Sequence, residues 1–111
     1  MNKPTIVCLC GSSRFMNEHA EANMRETLAG RIVVGMGLFG HADYPPGSKS
    51  ITGDGDESGT VKQQLDELHL RKIDLADEVL VLNVGGYVGS STKREIAYAE
   101  ANGKTVRWWE P

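Results

Sequence analysis

The sequence predicts a single α/β domain built on a parallel sheet. Short apolar runs, from Thr5 to Cys10, Arg31 to Met36, Glu78 to Asn83 and Lys104 to Trp108, alternate with segments of helical period. Strand–helix alternation of this kind favours parallel strands joined by right-handed crossovers. The size agrees: 111 residues, 40% hydrophobic and 24% charged, suit one sheet-centred core.

Each element has its own signal. The first strand stops at Gly11-Ser12-Ser13, which reads as a loop and helix cap. A helix is expected from about Arg14 to Ala29, with Phe15, His19, Ala22 and Leu28 near one face and Gly30 ending it. Arg31 to Met36 is rich in β-branched residues and reads as the second strand. From Gly37 to Gly59 the periodicity is lost, and so long a loop in a small domain is usually functional or mobile. Thr60 is expected to cap a second helix whose inward stripe is Val61, Leu65, Leu68 and Ala76. The third helix is expected to be capped by Ser91 or Thr92 and to end near Asn102-Gly103. With two helices on one face and one on the other, the expected strand order is 2-1-3-4, a Rossmann-like or flavodoxin-like arrangement.

Composition disfavours several functions. The net charge is −3 and the twelve Lys and Arg residues form no run longer than two, so no basic stripe for nucleic acid is visible. No stretch approaches the ~20 apolar residues of a membrane span, and the N-terminal apolar run is too short for a signal peptide. The expectation is a cytoplasmic protein whose partner is a small molecule. Cys8 and Cys10 then read as two buried thiols in a reducing compartment. Two apart in an extended strand, they point the same way, a poor geometry for a disulfide. Without further Cys or clustered His they are a weak sign of metal, and neither a metal nor a cofactor is expected.

Gly35-Met-Gly37-Leu-Phe-Gly40 matches G-x-G-x-x-G in letters, but His41-Ala-Asp-Tyr-Pro-Pro after it cannot open the helix that the dinucleotide fingerprint needs. Phe39 and His41 read instead as pocket wall. Asp54, Asp56 and Glu57 lack the rest of a calcium loop and read as solvated. Gly11-Ser12-Ser13-Arg14 is either an ordinary cap or an anion contact. His69 falls in the spine Leu65-His69-Ile73, half inward and toward mid-helix, as a core histidine or an active-site one.

The most informative segment is Gly85 to Ala99, a small, hydroxyl-rich junction between the third strand and third helix. Ligands bind at this edge of open α/β sheets. Glu95, placed in the first helical turn, has two readings: Thr92-Lys-Arg-Glu95 spells a capping box, or the carboxylate serves a ligand.

The order strand-Gly-Ser, helix, long loop, Ala76-Asp77-Glu-Val-Leu-Val-Leu-Asn83 and then Glu95-Ile-Ala-Tyr-Ala99 resembles the nucleoside 2-deoxyribosyltransferase-like superfamily, which includes the deoxynucleoside 5′-monophosphate N-glycosidases. The likeness covers nearly the whole chain in element order, and its specific part runs from Leu68 to Asn102. It implies that Glu95 attacks the anomeric carbon. It also implies that Gly11, Ser12 and Arg14 line the sugar pocket, and that Gly89, Ser90 and Ser91 bind a hydroxyl or 5′-phosphate. One departure stands out: His69 occupies the place of an aspartate that helps to bind the sugar and protonate the departing base. His69 is therefore the candidate acid of an N-glycosidase or deoxyribosyltransferase, and the alternative is a nucleotide-binding module without catalysis. Trp108 and Trp109 alternate in the last strand, so one is expected inward and the other exposed. With the oligomeric habit of the resembled family, they point to at least a homodimer.

Overall fold

Strands β1 (Ile6–Cys10), β2 (Ile32–Val34), β3 (Glu78–Val81) and β4 (Thr105–Trp108) form an all-parallel sheet in the order β2-β1-β3-β4. Helices α1 (Met16–Leu28), α2 (Thr60–Leu75) and α3 (Ser90–Ala101) alternate with them. The computed structural model describes residues 3–37 and 60–111. Phe39, His41, Asp54, Asp56, Glu57 and the side chain of Val61 lie outside the described residues, as does any capping contact of Thr60. Among the described residues, no helix is long and apolar enough to cross a membrane.

A sheet covered on both faces needs apolar side chains in both directions, which is why these strands read as unbroken apolar runs. Val7, Leu9, Leu80 and Leu82 pack with Ala22 of α1 on one face. Cys8, Cys10, Val79 and Val81 pack with Ile73, Ala76 and Ala99 on the other, beneath α2 and α3. In the register Cys8 stands beside Val34 and Val79, and Cys10 beside Val81. The one-against-two arrangement of helices and the strand order are those expected.

Several boundaries and faces differ from expectation, each for a physical reason. A 3-10 turn over Ser13–Phe15 precedes α1, and Ser12 Oγ accepts from Arg14 N at 3.2 Å, so the helix starts at Met16. Leu28 is 79% exposed and is not on the inward face. Glu26 is buried there instead, because Arg107 of β4 reaches across to both of its oxygens. Arg107 Nε also donates to Glu78 at 2.8 Å, and Arg31 approaches Glu26 and Glu78 at 3.5 and 3.7 Å. Two arginines thus neutralise two carboxylates where α1 meets the sheet. On α2 the inward stripe runs through Leu65, His69 and Ile73, while Leu68 is half exposed. Trp108 is exposed, and Trp109 packs against the α1-side core with the Arg25 guanidinium 4.9 Å from its ring centroid.

The packing predicts contrasting costs for two apolar truncations. Ile73→Ala, at a fully buried site, should cost about 2–5 kcal/mol in urea unfolding. Leu28→Ala should change stability by no more than about 0.5 kcal/mol. Equal losses would contradict the assigned faces.

Candidate functional site

The junction between β3 and α3 positions the site. The chain leaves Val81 through Leu82 and Asn83 into a 3-10 turn over Val84–Gly86, with Gly85 and Gly86 at φ +64° and +83°. Those left-handed angles account for the glycines by backbone handedness. The turn is tied to the C-terminal residues: Gly85 N donates to Glu110 Oε2 at 3.0 Å, and Asn83 exchanges two hydrogen bonds with the Glu110 backbone.

α3 then starts at Ser90, with Gly89 as the capping residue and no side-chain cap. The expected cap at Ser91 or Thr92 is therefore not formed. Both lie inside the helix, and Glu95 is its sixth residue, in the second turn rather than the first. A residue there cannot close a capping box, so that reading of Glu95 falls. Its side chain turns inward instead, leaving the residue 9% exposed.

What it meets is three further ionisable groups, completing a cluster of four. His69 Nε2 lies 3.8 Å from Glu95 Oε1, 3.6 Å from Cys8 Sγ and 3.5 Å from Cys10 Sγ. Cys10 and the Glu95 carboxylate also bear on each other's ionisation. The cysteines come from alternate positions of β1, His69 from α2 and Glu95 from α3, and all four are buried. His69 is thus more deeply inward than the half-buried position expected of it. It reaches the sheet because Ile73, four residues on, seats the same helical face in the core.

Burial sets the electrostatics. It raises the Glu95 carboxyl above its ordinary value; the charge of His69 opposes that rise, while Cys8 and Asp66 add to it. Burial works against a charged His69, but the hydrogen bond to Cys8 and the charges of Glu95 and Cys8 outweigh it, so its pKa is raised. The Cys8 thiol is lowered to about 5, first by its hydrogen bond with Cys10 and then, against burial, by His69. Cys10 is raised by its bond to Cys8 and by burial, and keeps its proton. The two shifts point the same way, toward negative charge on Cys8 and positive charge on His69.

Glu95 also lines a cleft of about 300 Å³ between α2 and α3, together with Gln63, Asp66, Leu70, Ser91, Arg94 and Tyr98. That volume is at the lower end for small-molecule sites. Ser91 Oγ accepts from Lys62 Nζ and Arg94 Nη2, both at 3.3 Å, and Asp66 pairs with the same two cations at 3.0 and 3.6 Å. Of the residues singled out in the sequence, Glu95 and Ser91 line this cleft, and His69 stands behind Glu95. Asp66, Arg94 and Lys62 were missed; their only signal is helical spacing, with Asp66 one turn before His69 and Arg94 adjoining Glu95.

The other expected contacts do not line this cleft, and two of them, Arg14 and Gly89, lie against Tyr87. The Arg14 guanidinium lies 4.6 Å from the Tyr87 ring centroid, and Phe15 meets the same ring edge-on at 5.9 Å. A Cβ on Gly89 would come 3.2 Å from Tyr87 Oη. Gly11 is packed against Leu82 and His19, where a Cβ would lie only 3.0 Å from Leu82 Cβ. Ser12 is spent on its 3-10 cap, and Ser90 is exposed at the first position of α3. Compared with known proteins, the chain matches no family model and no curated protein sequence.

The cluster makes a signed prediction for pH. A raised His69 pKa contributes stability that is fully present below the unfolded value of 6.5 and drains away as pH rises through the folded value. In chelator-treated protein, the His69 ring should titrate above 6.5 by NMR, and Glu95→Gln should lower that midpoint. A midpoint unmoved by Glu95→Gln would contradict the pairing.

Proposed function

We propose that the chain is an N-glycosidase or deoxyribosyltransferase acting on nucleosides or nucleoside 5′-monophosphates, with Glu95 as nucleophile. The observation that carries this reading is a buried glutamate, held inside the sheet-facing side of α3, whose carboxylate forms part of the wall of a substrate-sized cleft. A carboxylate with one edge on such a cleft suits attack on an anomeric carbon. The likeness in element order to the deoxyribosyltransferase-like superfamily supports the same reading.

In this mechanism a Glu95 oxygen bonds to the anomeric carbon as the carbon–nitrogen bond breaks, and the base leaves with a proton from a nearby acid. Water, or a second base, then displaces Glu95 from the glycosyl ester; with water, its hydroxyl goes to the sugar and its proton to the medium. Ionised Glu95 is the competent form, and burial works against it. The imidazolium of His69 at 3.8 Å offsets that cost, so His69 serves as a positioning and charge-setting partner. This revises the role of acid first considered for it, since His69 sits behind Glu95 among the thiols and is not part of the cleft wall. Asp66, which does line the cleft, is the acid candidate. Ser91, Arg94 and the uncapped backbone amides at the start of α3 suit a 5′-phosphate. The exposed Trp108 suits a contact between copies of the chain in a homodimer.

A second reading, nucleotide binding without catalysis, draws on Asp66 being engaged by Lys62 and Arg94, so that neither the acid candidate in the cleft nor those cations stand free for a departing base. One assay separates the two. Incubation with a panel of nucleosides and 5′-monophosphates should release free base, detected by chromatography, and Glu95→Gln should slow it at least ~100-fold. Saturable binding with no base release selects the second reading, and equal rates in the two proteins would reject Glu95 as nucleophile.

A further inference from the structure

Two thiols, an imidazole and a carboxylate in one buried pocket are more than a hydrophobic core requires. Valines at 8 and 10 would fill similar space, without any ionisable group to keep satisfied. Cys8 and Cys10 are also two apart on an extended strand, a spacing unsuited to a disulfide. The ligand atoms of Cys8, Cys10 and His69 nevertheless all lie within 4.8 Å of one another.

We propose that Cys8, Cys10 and His69 bind a thiophilic divalent cation of the Zn2+ class, with Glu95 as fourth ligand. A tetrahedral ion with sulfur at ~2.3 Å and nitrogen at ~2.0 Å holds those ligand atoms about 3.6 Å apart. His69 Nε2 stands 3.6 and 3.5 Å from the two sulfurs, which is the nitrogen–sulfur spacing that such an ion requires. Glu95 Oε1 is 3.8 Å from the same nitrogen but lies outside the group of ligand atoms within 4.8 Å of one another, so it closes the fourth side only by turning its side chain toward the sulfurs. Two thiolates with an imidazole select Zn2+ or Co2+ over Mg2+ and Ca2+, which prefer oxygen ligands. The ion enters from the cleft, where Glu95 is the ligand with an exposed edge. Any ligand protonated beforehand gives its proton to the buffer, so binding involves no change of oxidation state.

Because coordination engages Glu95, the cation-loaded chain differs from the one that would carry out glycosyl transfer. The test is spectroscopic and so independent of base release. Reduced, chelator-treated full-length chain is titrated with Co2+ and then with Zn2+. One ion per chain is expected, with an intense thiolate-to-cobalt charge-transfer band and the visible bands of tetrahedral cobalt. Zn2+ should abolish both and an excess of Mg2+ neither. The Cys8→Val, Cys10→Val double variant, checked for folding by circular dichroism, should lose the band and bind Zn2+ at least ~100-fold more weakly, beyond the loss typical of an outer-shell partner. A wild-type chain without the charge-transfer band overturns the proposal whether or not the variant folds, as does a folded double variant that binds Zn2+ as tightly as wild type.

Discussion

The contact between His69 and Glu95 joins the two helices that share one face of the sheet. α2 and α3 each bring a residue that carries charge to the same buried point above β1. Neither group would be stable there alone, because an ionised side chain removed from water needs a partner. Together with the Cys8 thiol they distribute opposite charges among three elements. The helix positions over β1 and β3 are therefore tied to electrostatics as well as to the apolar contacts of Ile73, Ala76 and Ala99.

The same contact gives the site its chemical character. Glu95 has a closed side toward the imidazole and thiols and an open side toward the cleft of Asp66, Ser91 and Arg94. A carboxylate in that position can serve a substrate in the cleft or a cation in the pocket. It cannot serve both through the same oxygen at once. Elsewhere in the molecule, Glu26, Glu78, Arg31 and Arg107 solve a similar problem by neutralising one another. There the carboxylates face guanidinium groups. At the candidate site the counter-charge is a histidine, which can be lost.

The fold was legible because its signals are local. Unbroken apolar runs at β1 and β3 announced strands buried on both faces, and the alternation of elements set the parallel order. Faces were less legible where a charged residue replaced an apolar one. Glu26 lies inward and Leu28 outward because Arg107, 81 residues away in sequence, supplies the partner. Glu95 misled for a similar reason: Thr92-Lys-Arg-Glu95 has the spacing of a capping box, but the helix begins at Ser90 and shifts the frame. The histidine missing from the local sequence around Cys8 and Cys10 arrives from 59 residues beyond Cys10. Linear spacing carries no trace of a ligand set assembled from three elements. Phe39 and His41, expected in the pocket wall, lie outside the described residues, and among the described residues the cleft is lined from α2 and α3.

The central claim is that His69 and Glu95 act as one buried unit, and a double-mutant cycle measures it most directly. Unfolding free energies of wild type, His69→Gln, Glu95→Gln and the double variant, taken below the raised His69 pKa, give the coupling. The account predicts a coupling of about 0.5–3 kcal/mol, the double variant losing less than the sum of the singles. Losses that add to within about 0.3 kcal/mol would contradict it.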